Sequence, residues 1–472
     1  MSSGNGPPQR TRPRARSGAW STRDAEAHLR SLELFGMRFG LERMRRLMTA
    51  LGSPQSAYPA IHVVGTNGKS STSRMTAAIL ARHGLRTGTY LSPHLISYAE
   101  RIQVGGRDLD ADEFAAAVER AAWAAEHVNH TLAEDDHVTQ FELLTAAALW
   151  ELARRRVDVA VIEAGLGGRY DATNVIGAPV CVLTNVGLEH TRWLGPTVED
   201  IALEKLAVLP RHATLVVGPD LAPEVLELAR SVAAEREAAI AEVPDRGREP
   251  VLEGLAEGAP VPAFQRRNFA VARVAAERHL SRLGVELSEE VVAEAGRASA
   301  VPGRFEVLRG APLTILDGAH NPDAARALAD SARALLGGRP LGLVLGVLDD
   351  KDAVGMLRAL MPLCERAWFT APPGSRALPP ATLHSLARQL GYEDTVCEPQ
   401  PSRALAAAWH WAESVGEARP AGAGQGVVVL ATGSIYLIGE LLRDQRSASA
   451  VTDTASSGAR WQSGRRGGAG EQ

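Results

Sequence analysis

Three lysines stand out. Of the 51 basic residues in this 472-residue chain, 48 are arginine; the lysines are Lys69, Lys205 and Lys351. A surface cation can be either type. A compact ammonium in a tight anion-binding loop, or an amine needed for its own reactivity, cannot be exchanged for a planar guanidinium. Lys69 belongs to Gly65-Thr66-Asn67-Gly68-Lys69-Ser70-Ser71, between an apolar run at 61–64 and a helical pattern at 69–83. That is the setting of a phosphate loop. Glycines turn backbone N–H groups toward an anion, the helix N-terminus adds positive potential, and lysine supplies a point charge. The hydroxyl after the lysine could meet Mg²⁺. The spacing is shorter than G-x-x-x-x-G-K-[ST], because Val63 stands at the first glycine position. An ordinary Gly-rich strand–helix turn is the alternative, and the scarce lysine favours phosphate.

Further groups follow other apolar runs. Glu163 ends the run at 157–162 and opens Glu163-Ala164-Gly165-Leu166-Gly167-Gly168-Arg169. Ligands of open α/β sheets bind at the carboxyl ends of the strands, and a carboxylate there suits a divalent cation. His190, in Gly187-Leu188-Glu189-His190, follows the run at 180–184. Each alone could be a plain loop residue; two adjacent strand ends would deliver both to one place. Lys205 falls on a predicted helix at 197–209. Arginine is an equally good helix former, so a solvated role does not explain a lysine there. A buried lysine has a lowered pKa and becomes a nucleophilic amine, able to take up CO₂ as an anionic carbamate.

In the second half, Asp317-Gly318-Ala319-His320-Asn321-Pro322 opens a helical pattern. Asn321 is expected as its cap, with Pro322 at the first helical position. Whether Asp317 and His320 touch a ligand stays open from this segment alone. Arg304 follows a Val-Pro-Gly break at 301–303 and is placed to clamp a phosphate. Lys351, in Asp349-Asp350-Lys351-Asp352, reads equally as a charged turn. Of the seven asparagines, Asn67, Asn174, Asn185 and Asn321 fall within or beside these segments, and Asn268 opens a helical pattern at 268–283.

The elements that must hold these groups alternate. Strands are predicted at 61–64, 87–91, 157–162, 180–184, 313–316, 341–346, 366–370 and 427–431. Helices are predicted at 69–83, 111–128, 140–155, 197–209, 222–237, 268–283, 288–299, 322–336, 353–361, 379–390, 402–415 and 434–443. Continuous apolar strands separated by amphipathic helices argue for parallel sheets with crossovers. The expected fold is α/β: a P-loop-type parallel-sheet domain at 20–300, then a smaller Rossmann-like domain at 301–446. A Pro- and Gly-rich stretch at 244–263 reads as an irregular crossing. The Ser-, Gly-, Pro- and Arg-rich ends, 1–19 and 447–472, read as disordered tails. Hydrophobic residues make up 45%, enough for real cores, and the formal charge is −4. A near-balanced chain is not built to blanket nucleic acid. No apolar run is long enough for a membrane span, and no secretory signal follows the N-terminal arginines. Three scattered cysteines exclude a disulfide framework and a Cys-based zinc site, and suit a reducing cytoplasm.

These segments, in this order, resemble the Mur ligase superfamily and, more closely, folylpolyglutamate synthase/dihydrofolate synthase. The likeness runs from about 26 to 443 and rests on HVVGTNGKSS (62–71), YLSPHL with ERI (90–95 and 100–102), TQFELLTAAAL (139–149), EAGLGGRYDATN (163–174), TNVGLEHTRWLG (184–195), IALEKLAVL (201–209), PGRFE (302–306), DGAHNP (317–322), DKD (350–352) and TGSIYLIGE (432–440). SPHL with ERI, and EAGLGGRYDATN, mark the folate branch.

The resemblance implies a ligase that adds L-glutamate to 7,8-dihydropteroate or to folates already carrying glutamate, with ATP and two Mg²⁺ sites, and with a monovalent cation as a further candidate. It implies that Gly65, Thr66, Asn67, Gly68, Lys69, Ser70 and Ser71 hold the ATP phosphates. Ser92 and Glu163 would bind one Mg²⁺ and His190 a second, with Lys205 carbamylated as a further metal ligand. Asn268, Arg304 and Asp317 would contact the nucleotide, and His320 would lie near the phosphates and glutamate. Lys69, Lys205 and His320 are the expected catalytic residues. Small-molecule partners, a monomer and a cytoplasmic location are expected, without nucleic acid or membrane. Ser70, Glu189 and Leu206-Ala207 depart mildly from the family pattern. Another Mur-type acid–amino-acid ligase and a non-catalytic nucleotide-binding module are the competing readings.

Overall fold

The computed structural model describes residues 19–32, 40–244, 261–298, 301–308, 312–418 and 426–445. The two expected tails, save residue 19, and most of the 244–263 crossing lie outside these residues.

The chain opens with α1 (Thr22–Ser31) and α2 (Glu42–Ala50), then β1 (Ala60–Val64), α3 (Lys69–Arg82) and β2 (Thr87–Tyr90). The hairpin β3 (Ile102–Val104) and β4 (Arg107–Asp108) precedes α4 (Ala111–Asn129) and α5 (Gln140–Arg154). Next come β5 (Val159–Glu163), β6 (Val180–Leu183), α6 (Thr191–Leu194), α7 (Val198–Leu206), β7 (Thr214–Val217), α8 (Pro223–Glu235) and β8 (Ala239–Glu242). The strands form one eight-stranded sheet in the order β4-β3-β2-β5-β1-β6-β7-β8. It is parallel from β2 to β8, with β3 and β4 antiparallel at one edge. Strand residues alternate between two cores. Val64, Ile162 and Leu183 pack on the side of α4, α5 and α8, whereas Ile61, Val63 and Val161 pack toward α3, α9 (Ala263–Arg282) and α10 (Glu289–Arg297). Burial on both faces is why these strands read as continuous apolar runs.

The second sheet follows with β9 (Glu306–Leu308), β10 (Leu313–Leu316), α11 (Pro322–Leu336), β11 (Leu341–Leu345), α12 (Ala353–Leu360) and β12 (Arg366–Phe369). Then come α13 (Pro380–Gln389), β13 (Thr395–Cys397), α14 (Pro401–Ala418), β14 (Val428–Thr432) and a closing helix at 435–445. Its order is β13-β12-β11-β14-β10-β9, parallel except for β9. Side chains of α11, α12 and α13 fill one face, and those of α14 and the closing helix fill the other.

Two of the differences from the sequence reading bear on the site. β5 and β6 are not neighbours: each pairs with β1, which lies between them. The chain passes to opposite sides of β1, so the ends of β5, β1 and β6 form a switch point of strand order, where ligands of open sheets bind. The helix expected at 268–283 starts five residues earlier, with Pro262 as N-cap, which puts Asn268 inside the helix.

Candidate active site

The phosphate loop, Ser92, Glu163, His190, Lys205, Asn268, Arg304, Asp317 and His320 line one cavity of about 530 Å³, between the carboxyl ends of the first sheet and the loops of the second; Asn174, Asn321 and Lys351 are not part of its lining. Gly65 leaves β1 with φ +151°, and a Cβ there would lie 1.8 Å from Thr184 Oγ1. Gly68 caps α3 with φ +83°, and its Cβ would lie 2.4 Å from Asn268 Oδ1. Only glycine permits both approaches. The Lys69 ammonium donates to the carbonyls of Gly65 (3.0 Å) and Thr66 (3.1 Å), which keeps its charge at the loop.

The loop after β6 straps this turn in place. Asn185 Oδ1 accepts from the Asn67 N–H (2.8 Å), Thr184 Oγ1 donates to the Asn67 carbonyl (2.7 Å), and the Gly187 N–H donates to Thr66 Oγ1 (3.0 Å). Sequence reading gave Asn185 only as part of the asparagine count and did not single out Thr184.

Glu163, at the end of β5, is 1% exposed. Its carboxylate accepts from Ser70 Oγ (2.9 Å) and the Ser92 N–H (3.1 Å). Burial raises its pKa, against the charge of Lys69 and these hydrogen bonds. Lys205 is carried by α7, whose N-terminus is fixed by a reciprocal Thr197–Asp200 capping box. It is 4% exposed and donates to the Gly65 carbonyl (2.9 Å). Burial, helped by the charge of Lys69, pushes its ammonium down to about 7. His190 caps α6 in a left-handed conformation, and burial followed by the charge of Lys351 lowers its imidazole to about 4. It is therefore neutral at pH 7, with a ring nitrogen available as a ligand.

From the second sheet, Asn321 caps α11 by accepting from the Ala324 N–H (2.9 Å), with Pro322 at the first position. Its amide also donates to Asn67 Oδ1 (2.9 Å), joining α11 to the phosphate loop. The two oxygens of Asp317 accept the backbone N–H groups of Phe305 and Ala319, both at 2.8 Å. Burial raises its pKa despite the charge of Arg304. The Arg304 guanidinium lies against Gly318, where a Cβ would meet Nη1 at 2.5 Å. His320 Nε2 lies 3.1 Å from Glu189 Oε1, and Lys351 Nζ donates to the same oxygen at 3.0 Å. Lys351 is thus no plain charged turn, and Glu189 is a cleft residue that sequence reading noted only as a departure. Behind the site, Asp171 accepts from the Leu166 N–H (2.8 Å) and from Thr173, whose hydroxyl reaches buried His62. This relay holds the turn that follows Glu163.

Residues 303–435 match the family described as Mur ligase, glutamate ligase domain. Over 376 residues the chain is 35% identical to the dihydrofolate synthase/folylpolyglutamate synthase of Escherichia coli, spanning 77% of this chain and 84% of that one. The chain belongs to the dihydrofolate synthase/folylpolyglutamate synthase family. The family enzyme of Bacillus subtilis is 30% identical over 89% of this chain and 97% of its own. Among solved structures, Mycobacterium tuberculosis folylpolyglutamate synthase complexed with ADP superposes with a TM-score of 0.81 at 31% identity, over 89% of this chain and 97% of that one. The Yersinia pestis enzyme complexed with AMPPNP and a Mn ion gives 0.74 at 29% identity, over 90% and 98%. Family members therefore use ATP-type nucleotides with a divalent metal.

The residues here fit such a metal. Glu163 is a buried carboxylate whose charged form is disfavoured by burial despite the charges of Lys69 and Arg304, and a divalent cation would favour that charged form further. Among the described residues no three His, Cys, Asp or Glu side chains group to hold an ion.

Proposed function

We propose that the chain is an ATP-dependent ligase joining L-glutamate to 7,8-dihydropteroate, to folates already bearing glutamate, or to both. One observation carries this reading: the phosphate loop, buried Glu163 and Lys205, and Arg304 and His320 from the second sheet all face one cavity. A carboxylate does not form an amide unaided at neutral pH. Its oxygen attacks the γ-phosphorus of ATP, ADP leaves, and an acyl phosphate results. The glutamate amine then attacks the acyl carbon, inorganic phosphate leaves, and the amine loses a proton.

The roles of individual residues belong to this proposal. Lys69 and the N–H groups of the phosphate loop neutralise the transferring phosphoryl group. Ser92 and Glu163 would hold one divalent cation, and His190 and Lys205 a second; such ions supply charge neutralisation at the phosphates. Lys205, with its lowered pKa, is largely deprotonated just above neutrality. Its amine then adds to CO₂ and releases a proton, giving a carbamate oxygen as ligand. Asn268, Arg304 and Asp317 line the nucleotide side, and His320 the side of the incoming amine. Water would destroy the acyl phosphate, so the two sheets must close on it.

The test is ADP release with MgATP and L-glutamate, with product mass measured. Turnover with dihydropteroate, with tetrahydrofolate, or with both supports the reading and names the activity. A nucleotide-binding protein that turns over neither overturns it.

A further inference from the structure

The three lysines of the chain gather at one cleft, yet the proposed chemistry uses only Lys69 and Lys205. Lys351 lies in the loop after β11, and His320 in the loop after β10. Both meet a single oxygen, Glu189 Oε1, which comes from the loop after β6 of the other sheet. The Glu189 and Lys351 side chains are each 11% exposed. Competing partners are poorer. Asp350 stands 3.7 Å from the Lys351 ammonium, is 40% exposed and is shared with Arg376 at 3.6 Å. His190 Nε2 is 3.6 Å from the same Glu189 oxygen. Beside this junction the Asn67–Asn321 amide pair crosses the same interface.

We propose that Lys351 is a positioning residue for the ligation: through Glu189 it fixes the loops of the second sheet, and His320 with them, over the phosphate loop. The residue type follows from the geometry. One carboxylate oxygen is shared between an imidazole and a cation, which suits a point charge. A guanidinium fork would engage both carboxylate oxygens and crowd His320. The pair is also suited to a cleft that must reopen. A partly buried ion pair adds little net stability, whereas removing one partner leaves the other charge uncompensated.

The activity readout rests on the ligase reading, and a second readout does not. Full-length wild type, Lys351→Met, Glu189→Gln and the double variant are compared for kcat and KM of glutamate-dependent ADP release, AMPPNP affinity, and radius of gyration without ligand. Lys351→Met is expected to lower kcat by about tenfold or more with AMPPNP affinity kept, as loss of one partner of such a pair implies. The double variant is expected to recover part of that loss, because the unpaired carboxylate is gone. Full kcat in Lys351→Met, or losses that multiply in the double variant, overturns the proposal. If Lys351→Met loses AMPPNP binding through misfolding, Lys351→Arg is read in the same way: lowered kcat with binding kept supports the proposal, and full kcat overturns it. If the wild type shows no glutamate-dependent turnover, the ligase reading fails. The scattering then decides alone: a larger radius of gyration in Lys351→Met supports the junction, and an unchanged one overturns it.

Discussion

Lys205 is placed against its own solvation. The protein holds its ammonium near 7 instead of 10.5, mainly by burial. Between those values the unfolded chain binds more protons than the folded one, so folding stability from this residue rises with pH across the window. Its penalty is fully present below about pH 7. Lys205→Met is therefore expected to melt at a higher temperature than wild type at pH 6 in CO₂-free buffer. The advantage should shrink toward pH 10. The same variant, and Lys205→Arg, should lose ligation by about 100-fold or more, the scale for removing an electrostatic group at a reacting phosphate. A Met variant that melts lower at pH 6 would contradict the burial argument. An Arg variant with normal turnover would remove the carbamate role. Lys205 was legible in the sequence because arginine serves elsewhere. Glu189 was not, because its partners lie 131 and 162 residues away and meet it only in the tertiary fold.

At the scale of elements, the phosphate turn is the most constrained piece. Gly68 combines a positive φ with direct approach to Asn268, whereas Gly105, in the β3–β4 hairpin, has φ +59° and open space around its Cβ position. Alanine at either site should cost about 1–2 kcal/mol for the left-handed backbone. Only Gly68→Ala should also raise the KM for ATP, because it displaces the loop and Asn268 together. Denaturant melts paired with ATP titrations check this; an unchanged KM in Gly68→Ala would mean that the turn does not cradle phosphate. The main α/β elements were legible because each carries a local signal: buried strands as apolar runs, α11 by its Asn-Pro cap. The helices α1, α2 and α6 and the buried strand β7 also escaped, and the other misses were short or half-exposed strands. β3, β4, β9 and β13 have two or three residues each, and β8 is mostly exposed at an edge. Such strands are set by pairing with a neighbour, which leaves little periodic pattern to read. The neighbour relation of β5 and β6 failed for a related reason. Strand order is decided by which side of β1 a crossover takes, and that is not written in either strand.

For the whole molecule, the cavity belongs to both sheets, so a nucleotide bound there should be felt by both. The phosphate loop meets Asn321 at the start of α11, and Asn268 on α9 stands over Gly68. A ligand that binds only the folded, assembled cleft stabilises it by about 2.7 kcal/mol at a hundred times its Kd. The part of that energy that reaches the second sheet depends on the contacts across the cleft. With MgAMPPNP bound, amide exchange is therefore expected to slow together at 65–71, 185–190, 304–306 and 318–324. The last two segments span the loops of the second sheet with the starts of β9 and α11. Protection confined to 65–71 would mean that the nucleotide occupies the first sheet alone and that closure waits for another substrate. Joint protection, weakened at 318–324 by Asn321→Ala but not at 65–71, would show that the contact between Asn67 and Asn321 carries closure from the phosphate loop to the second sheet.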